Sequence, residues 1–173
     1  MEDRFKTSSL ETGEPKRPVT LRAATPGDSD AIVRLVQETI SSVYPRYYPD
    51  AAVDAFIELH SAAAISADVA AGKVMVAESA GGIVGTGTFD GQHISRLFVA
   101  ASLQSRGIGS ALLDRLESEI ARSSDVAVLE SSLPACSLYE RRGYRTVSRG
   151  TWEVPSGSAL SSFLVWEVME KAL

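Results

Sequence analysis

Ile94-Ser95-Arg96-Leu97-Phe98-Val99-Ala100-Ala101-Ser102-Leu103-Gln104-Ser105-Arg106-Gly107-Ile108-Gly109-Ser110-Ala111-Leu112-Leu113 holds a strand, a short turn, a Gln-x-x-Gly-x-Gly run and the start of a helix whose apolar face continues to Leu116. Glycines at 107 and 109 remove Cβ atoms where a ligand must approach the backbone, and the first N–H groups of a helix have no partner inside it. The helix dipole adds about half a positive charge at that end, and Arg106 adds a whole one. Such a turn binds phosphate. It is not a Walker loop, because Ser110 rather than a lysine follows Gly109. A dinucleotide fingerprint is excluded too: Leu112 stands where a third small residue belongs, and the strand before the turn closes a run of hairpins instead of opening a βαβ unit.

Upstream of that stretch the sequence predicts strands 74–79, 83–89 and 93–99, joined by Gly81-Gly82 and Asp90-Gly91, which makes an antiparallel meander. Side chains 93, 95, 97 and 99 share one face if that last strand alternates regularly. Downstream come a helix over 107–122, a strand over 126–131, a helix over 134–142 and strands 145–154 and 162–170. Closer to the N-terminus, Val19–Arg22 alternates like a half-buried strand. Thr25-Pro26-Gly27-Asp28 has the chemistry of a helix start, and a helix over 26–41 buries Ile32, Leu35, Val36, Thr39 and Ile40. Val43-Tyr44-Pro45-Arg46-Tyr47-Tyr48-Pro49 ends it with two prolines and three tyrosines. That segment is either a substrate-side loop or a loop anchored to the core by its rings. A second helix, 51–71, stops at Gly72. The order of elements is α/β, an α+β mixed sheet that is mostly antiparallel and flanked by helices, with no internal repeat.

The chain's 173 residues, 45% hydrophobic and 23% charged, fit one globular domain. We read residues 1–17, polar and without periodicity, as a flexible tail and 18–173 as the domain. A net charge of −5 argues against a nucleic-acid partner and suits a cationic small substrate. Neither a membrane-length apolar run nor the apolar core of a signal peptide is present, and the single Cys136 forms no internal disulfide, so a cytoplasmic setting is expected. His60 and His93 are the only histidines; they and Cys136 have no metal-ligand spacing, and no metal is expected. Cys136 reads as a small packing residue of its helix.

About thirty residues beyond the glycine turn lies Leu129-Glu130-Ser131-Ser132-Leu133-Pro134-Ala135-Cys136-Ser137-Leu138-Tyr139-Glu140-Arg141-Arg142-Gly143-Tyr144. With the Gln-x-x-Gly-x-Gly turn, this resembles the paired signature regions of the GNAT N-acetyltransferases: an acyl-CoA pyrophosphate loop, and an Ala-x-x-x-Tyr-Glu-x-x-Gly-Tyr segment matched by Ala135, Tyr139, Glu140, Gly143 and Tyr144. The resemblance covers residues 19 to 170. It implies a GNAT acyl-CoA N-acyltransferase fold and acetyl-CoA as cosubstrate. Backbone groups of Leu97, Phe98 and Val99 would pair with the pantetheine arm, and Gln104, Arg106, Gly107, Ile108, Gly109 and Ser110 would hold the pyrophosphate. Where many members carry an asparagine that contacts the cofactor, this chain has Ser132, whose hydroxyl makes fewer bonds than an amide.

The activity so implied is acetyl transfer to a primary amine of a small molecule or peptide, by direct attack through a tetrahedral intermediate. An amine with a pKa of about 10.4 is almost wholly protonated at neutral pH, so a base or a depressed amine pKa is needed, and an acid helps the CoA thiolate leave. Resemblance gives the acid role to Tyr139. His93 falls where some relatives carry a catalytic glutamate and is a candidate base, with a plain surface histidine as the alternative reading and Glu78 or a water chain as substitutes. A non-catalytic acyl-CoA sensor of the same fold is the competing function. Whether two copies form a homodimer, and which amine is the acceptor, are left open by the sequence.

Overall fold

The computed structural model describes residues 18–155 and 161–173; the expected tail, 1–17, lies outside the described residues. The strand expected at the start is β1 (Thr20–Ala23), and a single 3-10 turn at Pro26–Asp28 leads into α1 (Ser29–Val43). Ile32, Leu35, Val36, Thr39 and Ile40 are its buried residues, the face that the 3.6-residue period picks out. The helix starts three residues later than expected, because Pro26-Gly27-Asp28 closes a tight turn of its own. Its far end reaches Val43, since Pro45 breaks the helix only beyond it.

The second expected helix is two: α2 (Asp50–Leu59) and α3 (Ala62–Ala70). Ser61 separates them, its hydroxyl accepting a hydrogen bond from Ala64 N–H at 3.4 Å as the N-cap of α3. The meander follows as β2 (Val74–Ser79), β3 (Gly82–Asp90) and β4 (His93–Val99), then α4 (Ile108–Ile120), β5 (Val126–Ser132), α5 (Cys136–Arg141), β6 (Arg145–Val154) and β7 (Ser162–Ala172). Both α4 and α5 are shorter than the sequence predicts. Gly107 caps α4 from outside at φ 87°, and a 3-10 turn over Leu133–Ala135 takes up the start of α5.

Seven strands form one sheet in the order β1-β2-β3-β4-β5-β7-β6. Every pairing is antiparallel except β4 with β5, so β4-α4-β5 is a βαβ unit, which corrects the expectation that the strand before the glycine turn opens none. Two buried clusters clothe its faces. One joins α1–α3 to Val74, Val76, Phe98, Val154 and Leu164; the other joins α4 and Tyr139 to Met75, Ala77, Ile94, Leu129 and Met169.

Two irregularities shape the middle of the sheet. The β4–β5 ladder has only the pairs His93↔Val128 and Ile94↔Leu129, after which the strands separate. In β4 itself, the register against β3 slips between Thr86 and Thr88, so that Gly87 alone opposes both Arg96 and Leu97. Arg96, in the bulge, sits at φ 50°, in the left-handed region. The expected alternation of 93, 95, 97 and 99 on one face therefore fails. Leu97 and Val99 pack with Ile94 against the α4 cluster, while Phe98 is turned onto the α1–α3 side.

Candidate active site

Where β4 and β5 part, the sheet opens into a cleft of about 970 Å³. Its walls include Leu97, Phe98 and Val99 of β4, Glu130 and Ser132 of β5, Gln104, Gly107, Gly109 and Ser110 of the turn and α4, and Tyr139 of α5. The β4 edge over residues 95–99 that faces β5 has no strand partner. An unpaired edge of this kind offers backbone donors and acceptors to an extended ligand.

At the cleft's mouth stands the glycine turn. Ala111 N–H bonds back to Gly107 O at 3.0 Å, and the N–H groups of Ile108, Gly109 and Ser110 before it have no carbonyl inside the helix. Gly107 takes a positive φ that L side chains rarely adopt, and no protein atom lies within 4 Å of where its Cβ would be. At Gly109 a Cβ would lie 3.6 Å from Val99 Cγ2 and 3.7 Å from Leu138 Cδ2, between two walls of the cleft. Gln104 Nε2 donates to Val99 O at 3.1 Å, tying the turn to the end of β4. Arg106 is exposed and does not line the cleft.

Tyr139 is 5% exposed, yet borders the cleft. Burial pushes its phenol well above the ordinary tyrosine value, with Tyr44 and Cys136 adding to the effect, so the proton stays on at neutral pH. Ser132 Oγ and Tyr44 Oη lie 2.9 Å apart, so the position that resemblance assigns to the cofactor already has a protein partner. Burial raises Tyr44 to about 12, against the pull of that hydrogen bond. Cys136 is half buried, its thiol 3.4 Å from Ser131 Oγ and 3.5 Å from Ser132 O, as a packing residue would be.

His93 sits exposed at the closed end of the split, on the cleft wall, and pairs with Val128. The alternative base Glu78 is 2.8 Å from Arg22 on the outer strands and does not line the cleft. The proline-tyrosine segment divides between its two readings. Tyr44 and Tyr48 are buried anchors, Tyr48 accepting from Leu133 N–H at 2.8 Å and donating to Val165 O at 2.9 Å, whereas Tyr47 faces the cleft.

Several lining residues carry no sequence signal. His60, at the end of α2, meets Phe98 edge-on with ring centroids 5.3 Å apart, and its buried Nδ1 has no hydrogen-bond partner among the described residues. Burial and then the charge of Arg96 lower its pKa to about 4. Arg96 is ion-paired with Asp68 of α3. Trp152 and Trp166 come from β6 and β7. These side chains are far apart in the chain and share no motif, so only folding brings them together. Among the described residues no group of three or more His, Cys, Asp and Glu is arranged to hold a metal ion, and no helix is long and apolar enough to cross a membrane.

Residues 44–153 match the profile of the acetyltransferase (GNAT) domain. Solved structures share the fold. A GCN5-related N-acetyltransferase from Rhodopseudomonas palustris, also described as a class-II aminotransferase, superimposes with a TM-score of 0.80 at 24% identity, over 93% of this chain and 100% of that one. The PaiA N-acetyltransferase of Thermoplasma acidophilum, in complex with coenzyme A, gives 0.67 at 15% identity over 90% and 99% of the two chains. YncA of Salmonella typhimurium, solved with its cofactor acetyl-CoA, gives 0.61 at 19% over 90% and 94%. No curated protein sequence matches the chain. The profile covers more than half of the sequence and the mixed seven-stranded sheet agrees with it: the chain belongs to the GNAT acetyltransferase family.

Proposed function

We propose that residues 18–173 act as a single N-acetyltransferase domain that moves an acetyl group from acetyl-CoA to a primary amine of a small molecule or peptide. The observation that carries this reading is the split between β4 and β5, which has an unpaired strand edge along one side and the uncapped N-terminus of α4 at its mouth. Two of the structural relatives hold coenzyme A or acetyl-CoA. The donor set here fits that group. Backbone groups of Leu97, Phe98 and Val99 suit its amide-bearing arm, and the N–H groups of Ile108, Gly109 and Ser110, with Arg106 and Gln104 beside them, suit its pyrophosphate. Ser132 would reach it only by giving up or sharing the Tyr44 hydrogen bond.

When bound, acetyl-CoA supplies an acyl carbonyl on a thiolate leaving group, so that the amine first forms the C–N bond and the C–S bond then breaks. The protein's share is positioning and proton traffic. Tyr139, kept protonated by its burial, gives its proton to the departing sulfur. His93 takes the proton that the amine loses, since it stands on the cleft wall and is open to solvent. His60 is the weaker base, because a pKa of about 4 leaves little driving force to hold a proton. The test is release of free thiol from acetyl-CoA in the presence of a panel of primary amines, with the acetylated amine identified by mass. Amine-dependent thiol release supports the reading, and acetyl-CoA binding without any amine dependence would overturn it.

A further inference from the structure

Three large apolar side chains from three different elements open onto the same cleft: Tyr47 is 51% exposed, Leu59 57% and Trp152 50%. Exposed apolar surface gathered in a concavity marks a binding site more often than chance placement does. The floor beneath Trp152 is built for the purpose. Trp152 pairs across the β6–β7 ladder with Leu164, and Gly150 with Trp166, so all of these share one face of the sheet. A Cβ on Gly150 would run into the Trp166 indole, and only glycine lets that ring lie down against β6. Phe98, stacked at 6.3 Å on Tyr44, and His60, which meets Phe98 edge-on, line the same cleft.

Charge sets a second limit. Among the described residues Glu130 is the only carboxylate on the cleft wall, which Arg141 also lines together with Arg96 and Arg142, the last two ion-paired with Asp68 and Asp114. A polyamine or an aminoglycoside brings several ammonium groups and needs several carboxylates to replace their hydration. One carboxylate matches one ammonium.

We propose that the acceptor is a monoamine carried on an aromatic body, its ring held in the slot between Trp152, Trp166 and Tyr47 and its single nitrogen directed to the split beside Glu130. This rests on the acetyl-transfer reading and adds the substrate class to it. Indole and phenol faces attract an ammonium while it is charged, and an apolar slot favours the neutral amine that attacks.

Two measurements test the proposal. Thiol release from acetyl-CoA is followed with 2-phenylethylamine, spermidine and kanamycin, and binding of the same three amines is measured by calorimetry with CoA present. The aromatic amine is expected to have a kcat/KM at least about tenfold above either polycation. Trp152→Ala should lower that value about tenfold, mainly through KM, a loss of the size expected when one large aromatic contact is removed. Phe163→Ala, on a half-exposed ring outside the cleft, should change nothing. Preference for spermidine or kanamycin, or an unchanged KM in Trp152→Ala, would overturn the acceptor class and leave acetyl transfer standing. If no amine is turned over, the transferase reading fails; tight binding of 2-phenylethylamine that Trp152→Ala weakens still supports the slot, and equal or absent binding of all three overturns it.

Discussion

The two ends of the cleft are built in opposite ways. The end proposed for the cofactor is backbone: an unpaired β4 edge and the first N–H groups of α4, supplied by the continuous stretch 95–110. The end proposed for the acceptor is side chain: Tyr47 from the linker after α1, Leu59 and His60 from the end of α2, Trp152 and Trp166 from β6 and β7. Backbone recognition depends on a local conformation, and a local conformation leaves a local motif. Side-chain recognition depends on which distant residues meet, and that is set by packing.

Tyr139 stands where the two ends meet, and its removal should give the largest effect. Tyr139→Phe keeps the ring and its edge contact with Tyr144, 5.6 Å between centroids, but has no proton to give. General acid catalysis contributes about 10²–10⁴ in rate, or about 3–5 kcal/mol, so kcat should fall by that factor while acetyl-CoA affinity and Tm hold. A kcat within about threefold of the parent would remove the acid role. The pH profile sharpens the point. Because burial raises the phenol above its ordinary range, loss of its proton should not limit kcat up to about pH 9.

His60 tests the acceptor end alone. Its pKa is about 4 in the fold and near its ordinary 6.5 when unfolded. Between those values the unfolded chain binds more protons, so stability rises with pH across the window and falls as acid is added. The loss from this group between pH 6.5 and 4 should be on the order of 2 kcal/mol. His60→Gln should flatten that part of a chemical-denaturation pH series and leave acetyl-CoA affinity unchanged. An identical slope in both proteins would show that His60 is not held neutral by burial.

A smaller effect is expected at Gly107, where φ is 87° and the space around the missing Cβ is open. Gly107→Ala should cost about 1 kcal/mol of stability from backbone strain. Urea denaturation measures it; a neutral result would mean the turn relaxes, so that its conformation is not fixed as it stands.

How much of this could be read in the sequence follows from the same contrast. The buried face of α1 and the hairpin meander came from periodicity and turn residues, both local. The glycine turn and Tyr139 came from short motifs. What the sequence hid was set by partners far away in the chain. The bulge at Arg96, which turns Phe98 to the opposite face and breaks the alternation, is visible only in the register against Gly87. The division of one expected helix at Ser61 rests on a single capping serine in an alanine-rich run that would otherwise read as continuous helix. Glu78 is a plausible base by residue type alone; the register pairs it with Thr20 on the outer strands, where its carboxylate bonds Arg22 and does not line the cleft.

The most direct test of the cofactor site is calorimetric titration of acetyl-CoA into the parent protein and into Gly109→Leu. A Cβ at 109 fits at ordinary contact distance between Val99 and Leu138, so the fold should tolerate the change while the longer side chain extends into the cleft mouth. Acetyl-CoA held in the split predicts one-site binding to the parent and an affinity at least about tenfold lower in the variant, about 1.4 kcal/mol, with Tm unchanged. Equal affinities in the two proteins would place acetyl-CoA elsewhere and contradict the site.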